Sequence, residues 1–114
     1  MDIGIQIQKQ DNFSIVAVSG KIDAITSDGL EGALIDLIDQ GEKHIILDLE
    51  KTTYISSAGL RILIVITKQL YDDGQFCLCN ANDNVHEIIE MAGFNVFMNI
   101  YSDLTEAKSK VTDS

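Results

Sequence analysis

The chain has 114 residues, 46% of them apolar, with eight basic against eighteen acidic side chains and a net charge of −10. A single domain of this size buries roughly two thirds of its unfolded surface, and the apolar content excludes a disordered chain. The charge argues against nucleic acid, whose phosphates recruit Lys and Arg, and against an anionic membrane surface; it favours a partner with a basic face.

Ile3, Ile5 and Ile7 alternate with polar neighbours and predict a half-buried strand. Asp11-Asn12 signals a turn, and residues 13–19 form a second strand, so the pair reads as a hairpin. Gly20-Lys21-Ile22-Asp23 is expected to leave the sheet. Thr26, Ser27 and Asp28 are candidate caps for a helix running to about Gln40. Its Leu30, Ala33, Leu34, Leu37 and Ile38 follow the helical period, and Gly41 stops it. Residues 44–49 predict a third strand, apolar enough for a central position covered on both faces.

Polar residues 50–53, then Tyr54 and Ile55, lead into Ser56-Ser57-Ala58-Gly59. An apolar helix follows from Ser57 to about Asp72 and is closed by Asp73-Gly74. Residues 75–80 read as a fourth strand, and residues 82–91 as a third helix with Gly93 as its cap. Residues 94–100 read as a last short strand, and residues 103–111 as a final helix fraying into a polar tail at 110–114. Helix and strand alternate after the hairpin. This predicts one α/β domain over residues 1–114, a mixed four- to five-stranded sheet with about four helices and parallel crossovers.

Cys77 and Cys79 flank Leu78 and point to one side of a strand as small buried side chains. A Cys-x-Cys pair without a nearby His is a poor zinc site, so neither a metal nor another cofactor is expected. Reduced cysteines imply a cytoplasmic protein. No basic segment followed by an apolar core opens the chain, and no apolar run approaches the ~20 residues of a membrane span. Membrane insertion is therefore not expected.

A serine nucleophile needs a base within reach. The histidines are His44, at the far end of the third strand, and His86, a surface residue on a separate helix. The Ser56-Ser57 turn lacks the Gly-x-Ser-x-Gly pattern of hydrolases, and no glycine-rich loop carries a lysine for phosphates. Asp36, Asp39, Asp72 and Asp73 form a solvated face rather than a metal site. No enzyme is expected. Binding at the start of the Ser57 helix is what remains. Free N–H groups and a partial positive charge there suit an ordinary serine cap first, and also an anion such as a phosphate carried by the serine. Leu60, Leu63, Ile64 and Ile66 read as core, and Arg61 and Lys68 as a solvated outer face.

Gly20-Lys21-Ile22-Asp23, the stretch IILDLEKTTYI, the turn SSAGLRIL and Met91-Ala92-Gly93-Phe94 together resemble the STAS domain of bacterial anti-sigma factor antagonists. The resemblance covers nearly the whole chain. It implies a serine that is phosphorylated by an anti-sigma factor acting also as a serine kinase. That serine corresponds to Ser57, with Ser56 as the second candidate. Gly20, Ile22 and Asp23 match a Gly-x-Leu/Ile-Asp turn beside it. The implied partner-binding residues are Asp23, Ser56, Ser57, Ala58 and Gly59; the implied partners are that kinase and a serine phosphatase.

One departure stands out, since the aspartate usually preceding the serine is Ser56 here. It removes a negative charge and adds a hydroxyl. This keeps open a STAS accessory subunit of a lipid-transport ATP-binding cassette complex, or a scaffold component of a signalling complex. Gly59 either lets the loop approach a partner closely or packs beneath the helix. Asp23 either faces the partner or receives local backbone N–H groups. Edge strands of such sheets can pair, which leaves a weak homodimer open.

Overall fold

The computed structural model describes residues 3–112. Its elements are β1 (Gly4–Lys9), β2 (Ser14–Ile22), α1 (Ser27–Asp39), β3 (His44–Asp48), β4 (Thr52–Ile55), α2 (Ser57–Leu70), β5 (Gln75–Cys79), α3 (Asp83–Met91), β6 (Asn99–Tyr101) and α4 (Leu104–Thr112). The sheet runs β1-β2-β3-β5-β6, and β4 pairs with β2 off this path. β1 and β2 form the antiparallel hairpin; the other pairs are parallel. This is the expected mixed α/β sheet with four helices, its sixth strand being the short β4.

Alternation along each strand divides the core in two. Val16, Val18, Ile45, Leu47, Phe76 and Leu78 point toward α1, α2 and α3, whose stripes include Leu30, Leu34, Ile62, Ile66 and Ile89. Ile15, Ile46, Cys77 and Cys79 point to the opposite face, where Ala107 and Val111 of α4 cover them. Ile45, Ile46 and Leu47 are buried from both sides, as the apolar run of β3 predicts. Both cysteines are free, and burial pushes each thiol up to about 12. They are packing residues on one side of β5.

Several elements depart from the sequence-based expectations, each for a local reason. β2 does not leave the sheet after Ser19. Gly20, at φ +103°, bends the strand, and Lys21 and Ile22 continue it by pairing with Tyr54 and Ile55 of β4. Polar residues conceal β4. Thr52 is fully buried because its hydroxyl donates to the Val18 carbonyl at 2.8 Å, so a polar residue serves as core. Upstream, the Asp48 carboxylate accepts the Glu50 N–H at 3.0 Å and the Asn80 amide at 3.1 Å, which turns the chain out of β3.

Residues 94–100 are not one strand. Gly93, at φ +79°, leads into a 3-10 turn at Phe94–Val96, and only Asn99–Tyr101 joins the sheet. Phe94 and Met98 are buried, so the apolar run reflects a packed turn rather than a strand. Ile7 is 45% exposed, whereas Ile3 and Ile5 pack partly on the core; β1 is an edge strand. Thr26 precedes α1 without a side-chain cap bond; that work is done by Asp23. α2 ends at Leu70 rather than Asp72, and α4 extends through Thr112. Residues 113–114 of the expected polar tail lie outside the described residues.

Glycines give the packing a direct test. A Cβ at Gly74 would sit 2.1 Å from the Lys43 carbonyl oxygen, which itself accepts the Gln75 N–H at 2.8 Å. Gly29 and Gly32 are exposed within α1 and have nothing within 4 Å of an added Cβ. Urea unfolding of Gly74→Ala is expected to show a loss of about 1–3 kcal/mol. Gly29→Ala and Gly32→Ala are each expected to gain about 0.5–1 kcal/mol.

Candidate functional site

The site begins where β2 hands over to α1. Asp23 Oδ1 accepts the Ile25 N–H at 2.9 Å and the Thr26 N–H at 3.0 Å. The Thr26 hydroxyl accepts the Asp23 N–H at 2.9 Å and donates to the Lys21 carbonyl at 2.7 Å. This is a reciprocal cap, formed between Asp23 and Thr26 just before the helix. The Ser27 N–H then bonds the Asp23 carbonyl at 2.9 Å and starts α1. Asp23 is thus the turn residue that receives local N–H groups. The Thr26 N–H foremost, opposed by partial burial and reinforced by the Ile25 N–H, holds its carboxyl below the usual range.

The loop so fixed projects Ile25 outward, 80% exposed. Ile25 is not among the residues that the sequence pattern marks as a site. Its signal is an apolar residue outside the buried Leu30, Leu34 and Leu37 stripe of α1.

The Ser56-Ser57 turn is bonded to this loop. The Ser56 N–H donates to the Ile22 carbonyl at 2.8 Å, one residue before Asp23. Ser56 has the extended backbone of an N-cap, and its Oγ accepts the Gly59 N–H at 3.3 Å. Its own carbonyl starts α2 by accepting the Leu60 N–H at 2.8 Å. Ser and Asp cap helices about equally well, so the departure at position 56 keeps the geometry and removes only the charge.

The two hydroxyls are therefore not equivalent. Ser56 is half-buried and engaged in the cap; Ser57 is the first residue of α2 and exposed. Ala58 is half-buried beside it, and Gly59 is buried. A Cβ at Gly59 would lie 2.7 Å from both Ile22 Cγ2 and Ile55 Cγ1 and 3.3 Å from the Ile22 carbonyl oxygen. Of its two readings, packing beneath the helix is the one the geometry displays. Leu63 and Ile66 are core and Leu60 and Ile64 are half-buried against it, while Arg61 and Lys68 are exposed. Tyr54, 42% exposed, lies just before the turn.

The histidines stay apart from both hydroxyls. His44 opens β3 at the end opposite the turn, and its Nδ1 is buried without a partner. His86 Nδ1 lies 3.2 Å from Glu90 one turn along α3. Among the described residues, neither imidazole is hydrogen-bonded to Ser56 or Ser57, and no three His, Cys, Asp or Glu side chains converge as a metal set. No described helix is long and apolar enough to cross a membrane.

The Asp23 bonds make the loop pH-dependent. A carboxyl held below its ordinary value of 3.8 contributes stability that is fully present above that pH. The contribution is lost as pH falls through the lower folded value. The melting-temperature gap between wild type and Asp23→Asn should therefore be constant above pH 3.8 and close progressively below it.

Three comparisons set this geometry among known proteins. A family model described as the STAS domain matches residues 4–107. BtrV of Bordetella bronchiseptica, assigned as an anti-sigma factor antagonist, is 35% identical over 91 residues, spanning 79% of this chain and 78% of its own. The crystal structure of an anti-sigma factor antagonist from Mycobacterium paratuberculosis superposes with a TM-score of 0.91 at 25% identity, over 96% of this chain and 94% of that one. The phosphorylated form of the Bacillus cell fate determinant SpoIIAA shares the fold at a TM-score of 0.73 and 18% identity, over 95% of this chain and 99% of that one. With the family model spanning β1 to α4, this chain belongs to the STAS domain family.

Proposed function

We propose that this chain is an anti-sigma factor antagonist. It docks an anti-sigma factor serine kinase through the face made by the Asp23 loop and the Ser57 turn, and phosphorylation of Ser57 ends that docking. A serine phosphatase restores it. The observation that carries the reading is the division of labour between the two serines: Ser56 is committed to the cap, and Ser57 offers a free hydroxyl on a rigid mount. The 35% identity to BtrV supports the antagonist assignment. The free, buried cysteines fit a reducing cytosol.

The switch follows from electrostatics. A phosphate adds nearly two negative charges at pH 7. In the free protein it sits at the start of α2, where a helix N-terminus tolerates an anion. In a docked complex it would meet a surface shaped for a small hydroxyl, and burying it unpaired costs several kcal/mol. Ile25 on the Asp23 loop and Tyr54 just before the turn supply exposed apolar area for the docked state. Gly59 serves from beneath, holding the turn against Ile22 and Ile55.

The test is capture from host lysate with wild type, Ser57→Ala and Ser57→Asp as baits, with bound proteins and phosphopeptides read by mass spectrometry. A serine kinase is expected on wild type and Ser57→Ala and lost with Ser57→Asp, with phosphate on Ser57 and not Ser56. Capture of a transport ATPase by all three would overturn the proposal in favour of an accessory subunit.

A further inference from the structure

We propose that Arg61 is the intramolecular partner of a phosphate on Ser57. The inference rests on the Ser57 reading above and adds how the modified state is held. Ser57 opens α2 and is exposed; Arg61 lies four residues later and is also exposed. Residues spaced i, i+4 are neighbours on one helix face, and an anion placed first with a cation four residues later is the favourable order. Helical side chains lean toward the N-terminus, so Arg61 covers the turn from which the Ser57 side chain emerges.

Arg61 is the only arginine among the eight basic residues of the chain. A planar guanidinium binds phosphate through two parallel N–H donors, which a lysine ammonium cannot reproduce. The first turn of α2 carries no acidic residue, and among the described residues no carboxylate pairs with the guanidinium. It is uncommitted until the phosphate arrives. The other charged groups near the turn fit the role less well. Asp23 and Asp28 are anionic. Lys21 sits on β2 opposite Tyr54. Lys68 lies eleven residues beyond Ser57 on the same helix, about 16 Å along its axis.

A phosphate clasped by Arg61 lies across the Ser57 turn instead of extending into solvent. The modified face is then covered by an ordered group. Such a clasp favours the dianion and lowers the second pKa of the phosphate.

The test uses full-length protein with phosphoserine placed at position 57 by genetic code expansion, so no kinase is needed. The second pKa is read by 31P NMR titration. Arg61→Gln is expected to raise it by about 0.5 pH unit relative to the parent phosphoprotein. Arg61→Lys should fall between the two, and Lys68→Gln should match the parent. A value for Arg61→Gln equal to the parent, or equal to Lys68→Gln, overturns the proposal. Absence of Ser57 phosphate in host cells would overturn the functional reading and leave this result standing.

Discussion

The hydrogen bond from the Ser56 N–H to the Ile22 carbonyl, 2.8 Å long, joins the two halves of the site. It fastens the end of β2 to the start of α2. Gly59 packs directly behind it, so close to Ile22 and Ile55 that a methyl group would collide with both. One such bond contributes only about 1 kcal/mol. Its importance is positional. It sets the height of the Ser57 helix above the Asp23 loop, and side-chain packing on both sides makes that setting unique. The Asp23–Thr26 cap then fixes the loop, so Ser57 and Ile25 are carried by one rigid unit.

On the proposed reading, rigidity of this kind would let a single phosphate suffice as a signal. The Ser57 side chain points to solvent from the first position of a helix whose inner face, including Ile62, Leu63 and Ile66, is fully buried. The backbone beneath the turn is held by that packing. A phosphate there would change what the face presents and not where the face is. In the proposed switch, docking that requires the hydroxyl would therefore be lost without any unfolding of the protein.

Much of this was legible in the residues. The 3.6-residue stripes of α1 and α2, the alternation of the central strands and the turn at Asp11-Asn12 all appear in the structure where the patterns put them. What escaped did so because a polar residue took an apolar residue's place or an apolar one a polar residue's. Thr52 hides β4 because its hydroxyl is satisfied by Val18 rather than by water. Gly20-Lys21 resembles an exit from the sheet, yet a positive φ lets the strand bend and continue. Phe94 and Met98 resemble a strand and are a packed turn. At the site, local pattern offers two hydroxyls at the Ser57 turn, and only the family resemblance puts Ser57 before Ser56. A physical ranking depends on which oxygen faces the Gly59 N–H, a matter of backbone geometry.

In the proposed switch, phosphate acts locally on a preformed face. The most direct measurement compares 1H–15N correlation spectra of the unmodified and Ser57-phosphorylated protein. Amide shifts are expected to be confined to residues 22–27 and 55–62, with the Cys77, Cys79 and Ala107 side of the sheet unchanged. Shifts spreading through β5 and α4 would contradict a local switch, because they would show that the fold itself responds.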